Sequence, residues 1–232
     1  MPDVPRSAAF FDIDGTLTAT TTMFDFLAHH LSVRGRSSEY AALRDRLRAM
    51  TEAGAGRADR CRAYYRVYAG TDESSLLTEG ERWFRDRVGT PGFFNEPARA
   101  AFGAHAAAGD LTVLVSGSFA ACLEPLAEHL GADVLLCSRP EVRDGRYTGA
   151  VTTPMIGAAK AAAVSRLAAE RSLSLKDSYA YGDHLSDVPF MEFVGNPVVV
   201  GRDPGMLRHA RARGWRCLEH SPLPGTARGS RS

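Results

Sequence analysis

Asp12 and Asp14 stand one residue apart in Asp12-Ile13-Asp14-Gly15-Thr16, directly behind the apolar run Ala8-Ala9-Phe10-Phe11. Such a run reads as a buried strand, so two carboxylates are delivered at a strand end. In a strand, residues two apart share a face, and Asp12 and Asp14 would converge beyond the carboxyl edge if the strand ran on. Gly15 lets the backbone turn away there and exposes the amides that follow. Two close carboxylates stay anionic together only where a cation relieves them; otherwise they share a proton. The same residue types also suit an ordinary turn, so the rest of the chain decides between turn and site.

Three later segments carry matching chemistry. Ser116-Gly117-Ser118 follows the apolar, β-branched run Leu111-Thr112-Val113-Leu114-Val115 and precedes a helix, either as an N-cap or as a set of amides and a hydroxyl suited to an anion. Lys160 sits in the first turns of the Ala-rich helix 157–171, where a cation gains nothing from the helix dipole and an anionic neighbour would explain it better. It is one of only two lysines, the other being Lys176, among 28 basic residues. Asp183 and Asp187 lie four apart behind the short strand Ser178-Tyr179-Ala180-Tyr181. Carboxylates, a carbonyl and waters are the ligands Mg²⁺ takes. Four aspartates, one lysine, a serine hydroxyl and free amides fit metal-assisted phosphoryl transfer, where catalysis is positioning and charge neutralisation. Hydride transfer fits poorly, because no Gly-x-Gly-x-x-Gly follows the first strand, and no Walker-type phosphate loop is present.

The elements needed to position these groups can be read from periodicity. Residues 18–89 show helical spacing in Met23-Phe24-Phe26-Leu27-His30-Leu31, Tyr40-Leu43-Leu47-Met50 and Tyr64-Tyr65-Val67-Tyr68, punctuated by Gly35, Gly54, Gly56, Gly70 and Gly89. This predicts an all-helical insert of several short helices. Beyond it, helices 97–108, 119–130, 157–171, 187–194 and 204–213 alternate with strands 111–115, 134–137, 178–181, 197–200 and 215–218. Residues 141–151 read as a hairpin turning at Asp144-Gly145. Alternating strands and helices imply an α/β fold with a Rossmann-like parallel sheet as core. Ligands of open α/β sheets lie beyond the carboxyl ends of the strands, and three strands here end in Asp12 to Thr16, Ser116 to Ser118 and Gly182-Asp183-His184.

At 232 residues the chain has room for one full-sized domain with an insert. The predicted division is a discontinuous core, 1–17 and 90–220, a helical cap at 18–89, and a loose tail at 221–232, rich in Pro and Gly and poor in core formers. With 24% charged residues and a net charge of +1, nothing points to nucleic acid or a membrane surface as partner. No apolar stretch reaches signal-peptide or membrane-span length, which predicts a cytoplasmic protein, monomer or homodimer. The four scattered cysteines, Cys61, Cys122, Cys137 and Cys217, read as buried or half-buried free thiols.

Taken in order, these blocks resemble the motifs of the haloacid dehalogenase (HAD) superfamily of aspartyl-phosphate phosphohydrolases. Asp12-x-Asp14-Gly15-Thr16-Leu17-Thr18 is similar to its first motif, Val115-Ser116-Gly117-Ser118 to its second, Lys160 to its third and Gly182-Asp183-x-x-x-Asp187 to its fourth. Ser186-Asp187-Val188-Pro189, Val194-Gly195-Asn196-Pro197 and Arg213-Gly214-Trp215 are similar to subfamily IB, which includes phosphoserine phosphatase and carries a helical cap behind the first motif. The resemblance implies an Mg²⁺-dependent phosphatase acting on a small phosphorylated metabolite. Asp12 would be the nucleophile and Asp14 the general acid and base. Gly15, Ser116, Gly117 and Lys160 would hold phosphoryl oxygens. Asp12, the backbone carbonyl of Asp14, and Asp183 would bind the metal, with Asp187 supporting them. A phosphotransferase or phosphomutase using the same nucleophile is one alternative, and a binding module without catalysis another.

The chain also departs from the subfamily pattern. Thr21 stands nine residues after the nucleophile, where phosphoserine phosphatases carry the glutamate that reads the substrate amine. Ser118 replaces a glycine, and His184-Leu185-Ser186 replaces Gly-Ala-Asn. These differences argue against phosphoserine as substrate. The residues expected to read the substrate are Thr21, Phe24, Arg57, Arg60 and Tyr64 in the cap, with His184 at the rim.

Overall fold

Residues 7–218 are described by the structure, a computed structural model; the predicted tail at 221–232 lies outside them. In chain order the elements are β1 (Ala8–Phe11), α1 (Thr22–Ser32), α2 (Ser37–Glu52), α3 (Arg57–Tyr65), a 3₁₀ turn (Arg66–Tyr68), α4 (Glu73–Arg87) and α5 (Glu96–Ala108). There follow β2 (Leu111–Phe119), α6 (Ala120–Leu130), β3 (Val134–Ser138), β4 (Pro140–Arg143), β5 (Arg146–Val151), α7 (Ala158–Glu170) and β6 (Tyr179–Gly182). The last are α8 (Val188–Met191), β7 (Asn196–Val200), α9 (Pro204–Arg213) and β8 (Arg216–Leu218).

Six strands form one parallel sheet in the order β3-β2-β1-β6-β7-β8, the α/β class expected from alternating elements. Every residue of β1 is fully buried, and strand alternation divides them between two cores. Ala9 and Phe11 face one core, shared with Leu114, Tyr181 and the helices behind β1. Ala8 and Phe10 face the other, with Val113, Val115, Val164, Phe190 and Met206. The central position of β1 sets Asp12 in the middle of the sheet's carboxyl edge, where its N–H extends the ladder to the Tyr181 carbonyl at 2.9 Å.

Helices α1 to α4 lie between β1 and α5, as a helical insert, but they are not uniformly short. α2 has 16 residues and α4 has 15. Gly35, Gly54 and Gly70 do end segments, in the left-handed conformation. Gly80, by contrast, stays helical inside α4, because an added Cβ there would lie 1.6 Å from the Ala121 carbonyl oxygen. Only glycine lets α4 pack this close to α6.

The Asp144-Gly145 turn forms with φ of 49° and 72°, as an Asp-Gly hairpin requires, and β4 pairs antiparallel with β5. Its partner is less expected. The Tyr147 carbonyl accepts from Gly70 N at 2.7 Å, Tyr147 N donates to the Thr71 carbonyl at 2.9 Å, and Glu73 N donates to the Gly145 carbonyl at 2.9 Å. This hairpin, emerging from the sheet, thereby bonds to the helical insert.

Two expectations need correction. β2 does not stop at Val115 but continues through a register shift to Phe119, so neither Ser116 nor Ser118 caps α6, whose N-cap is Phe119 with no side-chain bond. Cys61, Cys122 and Cys137 are buried free thiols, whereas Cys217 is exposed because β8 is the outermost strand. No helix among the described residues is long and apolar enough to cross a membrane.

Candidate active site

Asp12 follows the last residue of β1 and is 5% exposed. Its carboxylate takes an ion pair from Lys160 Nζ, which also donates to Asp187 Oδ1 at 2.7 Å. Lys160 is the third residue of α7, so the cation at the unfavourable end of the helix is explained by two carboxylates in front of it. Burial works against its charge, but Asp12 and Asp187 outweigh that and hold its pKa above the ordinary lysine value.

Asp183 completes the group. Asp12, Asp183 and Asp187 each offer a carboxylate oxygen, all within 4.8 Å of one another. Two backbone details allow this approach. Gly15 has φ +93°, and a Cβ there would lie 2.3 Å from Asp183 Oδ2. At Gly182 a Cβ would lie 2.8 Å from Cβ of Asp187. Thr16 Oγ1 donates to Asp183 Oδ1 at 3.3 Å, and His184 N donates to Asp187 Oδ2 at 3.3 Å. Asp187 precedes α8 but makes no capping bond to it.

Three carboxylates face one ammonium, and the excess negative charge appears in the acidities. Burial, opposed by Lys160 and reinforced by Asp187 and Asp183, holds the Asp12 pKa well above the carboxylate range. Burial and then Asp187 push Asp183 up to about 6. Three carboxylates this close, all oxygen donors, make a cluster consistent with a divalent metal site.

Asp14 points elsewhere. β1 ends at Phe11 and the chain turns at Gly15, so the strand alternation that would bring Asp14 alongside Asp12 no longer applies. Asp14 Oδ1 accepts from Thr22 N and Thr22 Oγ1, both at 2.6 Å, and so caps the first turn of α1. Its Oδ2 accepts from Ser118 Oγ at 2.7 Å and from Ser116 Oγ at 3.5 Å. Ser116 Oγ in turn accepts from Ser118 N at 3.0 Å.

Above these groups opens a cavity of about 760 Å³ between the sheet edge and helices α1, α2 and α3. Asp12, Asp14, Gly15, Gly117, Lys160, Asp183 and Asp187 line its floor; Thr21, Phe24, Arg57, Arg60, Tyr64 and His184 line the rest. Ser116 is fully buried behind Gly117 and is not part of the wall. Tyr64 shows only its edge: it is fully buried and its hydroxyl bonds to Tyr68 at 2.8 Å. Arg57 Nη1 reaches across the mouth to His184 Nδ1 at 2.8 Å and Ser186 Oγ at 2.6 Å. Ser186 N also donates to His184 Nδ1, at 3.0 Å, so the ring proton belongs on Nε2.

The family model of haloacid dehalogenase-like hydrolases matches residues 9–192, from β1 through α8 and across every group just described. The chain belongs to this family. Among curated HAD relatives, a "Probable phosphatase" of Mycobacterium tuberculosis is 34% identical over 221 residues, 93% of this chain and 76% of that one. A crystal structure of a Bordetella pertussis protein of unknown function superposes with a TM-score of 0.81 at 31% identity, covering 92% of this chain and 98% of the other. A phospho-aspartyl intermediate analogue of phosphoserine phosphatase has the same fold, with TM-score 0.66 at 20% identity, covering 92% and 93%. This chain is thus a phosphoserine phosphatase-like HAD protein with an acidic cluster suited to a divalent metal.

Several HAD-site residues escape a reading of the sequence. Thr22 and Ser118 hold Asp14, yet each looks like a helix-start residue, and only the prolonged β2 turns the Ser118 hydroxyl inward. Arg44 lines the cavity from α2 without any motif around it. Its place one turn before Arg48, on the face that also carries Leu47, was the available signal.

Proposed function

We propose that the protein is an Mg²⁺-dependent phosphatase that hydrolyses a small-metabolite phosphate monoester through an aspartyl-phosphate on Asp12. The observation that carries this reading is the buried Asp12 carboxylate at the cavity floor, ion-paired to Lys160 and within ligand distance of Asp183 and Asp187.

Asp12 Oδ attacks phosphorus, and the bond to the leaving alcohol oxygen breaks as the aspartyl-phosphate bond forms. Asp14, in its protonated form, gives its proton to that leaving oxygen. It then takes a proton from the water that attacks the phospho-aspartate, which releases phosphate and restores Asp12. Lys160 neutralises the nucleophile before attack and the phosphoryl oxygens during it, while Gly15 and Gly117 leave room for those oxygens beside the wall, with the Ser116 hydroxyl behind. Asp12, Asp183, Asp187 and the Asp14 backbone would hold Mg²⁺, which when bound supplies charge neutralisation for the dianionic phosphoryl group. The cap helices exclude bulk water and read the alcohol part of the substrate.

Phosphate release from a panel of metabolite phosphates, with Mg²⁺ or EDTA and beside Asp12→Asn, tests this directly. Release that requires both metal and Asp12 is expected. Release that survives Asp12→Asn overturns the nucleophile assignment, and no release from any member of a broad panel overturns the phosphatase reading.

A further inference from the structure

The phosphoryl group occupies only one end of the cavity. A volume of about 760 Å³ falls in the range, about 300–1,000 Å³, that encloses drug-sized molecules. The end formed by α2 and α3 is strongly basic: Arg44, Arg48, Arg57 and Arg60 line it against one carboxylate, Glu52. Two of these arginines are committed. Arg48 pairs with Asp45 at 2.6 Å, and Arg57 donates to His184 and Ser186.

Arg44 and Arg60 are different. Among the described residues neither has a carboxylate partner within ion-pair distance. The Arg44 guanidinium lies over the Phe24 ring, 4.7 Å from its centroid, and 6.0 Å from that of Tyr40. Stacking fixes the plane of the group and leaves its N–H edge free. Arg60 spends one N–H on the Thr51 hydroxyl at 2.7 Å, which anchors α3 to α2 and leaves the other donors of the fork unused. The same cavity wall carries the apolar side chains Met23, Phe24, Leu47 and Ile156.

We propose that the free N–H donors of Arg44 and Arg60 make the α2–α3 end of the cavity anion-binding, so that the substrate is a phosphomonoester that also carries apolar surface and a second anionic group. This rests on the phosphatase reading for the reacting end. A guanidinium with free N–H donors binds a carboxylate or phosphate through charge-assisted, two-point hydrogen bonds. A hydroxyl there gains little, and an ammonium is repelled.

The test uses alkyl phosphates of increasing length, each ending in a carboxylate, a second phosphate, a hydroxyl or an ammonium. Their binding to the full-length Asp12→Asn protein with Mg²⁺ is measured by calorimetry, and phosphate release is followed with the unmodified protein. At the best length, a carboxylate or phosphate terminus is expected to bind about tenfold more tightly than the hydroxyl one. The carboxylate and phosphate arms identify which anion is preferred. Arg44→Gln and Arg60→Gln should each shrink that ratio severalfold, while Arg46→Gln, on the same helix but outside the cavity, should preserve it. Equal affinity across the four termini overturns the subsite, as does a preference that persists in both cavity variants. The comparison of termini on the Asp12→Asn protein stands even if an arginine variant does not fold. Phosphate release with equal binding would sink the subsite alone; the binding preference without any release would sink the phosphatase reading alone.

Discussion

The Ser118 hydroxyl donates to Asp14 Oδ2 at 2.7 Å, at a position where a glycine would leave that oxygen only the 3.5 Å contact from Ser116. Together with Thr22 it fixes the carboxylate by three short bonds, and a fourth, longer one comes from Ser116. Hydrogen bonds to a charged group are worth about 1.5–3 kcal/mol. Ser118→Gly is therefore expected to lower kcat by about 10- to 100-fold, since 1.4 kcal/mol is tenfold, with a smaller change in KM. Steady-state kinetics of the variant would check it. An unaltered kcat would show that Thr22 alone positions Asp14.

Lys160 contacts two buried carboxylates at once, Asp12 and Asp187. Removing one partner of a buried ion pair costs about 3–5 kcal/mol, because the opposing charge is left uncompensated. Lys160→Met should lower the thermal midpoint markedly in EDTA and abolish turnover. Added Mg²⁺ should recover part of the stability and none of the turnover. Thermal unfolding with and without metal distinguishes these effects.

Asp183 has its pKa pushed up to about 6 by burial and Asp187, against about 3.9 in an unfolded chain. Between those values the folded protein retains a proton that the unfolded chain has lost. The metal-free protein therefore loses this contribution to stability as pH rises from about 4 through about 6. In EDTA, Asp183→Asn should be more stable than the unmodified protein above about pH 6 and should lose that advantage near pH 4. Mg²⁺ binds the deprotonated carboxylates, so its stabilising effect on the unmodified protein should grow over the same interval. Thermal midpoints measured across pH, with and without Mg²⁺, would expose the opposite trend if the acid were not shifted upward.

Gly15 combines a left-handed φ of +93° with an approach that puts a would-be Cβ 2.3 Å from Asp183 Oδ2. Gly15→Ala should displace Asp183 from the cluster, weakening Mg²⁺ binding and costing about 1–3 kcal/mol of stability in strain and overlap. Gly103→Ala, inside α5 with open space around it, should instead stabilise by about 0.5–1 kcal/mol. Calorimetric Mg²⁺ titration and thermal unfolding of the two variants provide the contrast.

Much of the site could be read from local sequence because its groups sit at strand ends. Asp12, Ser116 and Asp183 each follow an apolar run, and the sheet collects such ends on one edge. Lys160 was legible for another reason: a lysine at the start of an Ala-rich helix is electrostatically misplaced unless anions face it. What remained hidden depends on contacts between distant segments. The inward turn of Ser118 follows from the register shift between β2 and β3, which no local pattern encodes. The freedom of Arg44 and Arg60 depends on which acidic residues other helices bring near. Asp14 was the instructive case, since the strand whose alternation would pair it with Asp12 ends at Phe11, before either residue.

The β4–β5 hairpin changes how the helical insert can move. A cap joined to a core by two strands of chain swings on two pivots. Here the hairpin adds main-chain bonds from Tyr147 and Gly145 to Gly70, Thr71 and Glu73, and a Cβ added at Gly149 would lie 3.2 Å from the Arg66 Cα. The hairpin therefore ties the helical insert to the sheet by a further connection, beside the chain at either end of the insert and the packing of α4 on α6 at Gly80. Because β5 also packs against α3, a change in the length of this hairpin would be felt at the helix that carries Arg57 and Arg60.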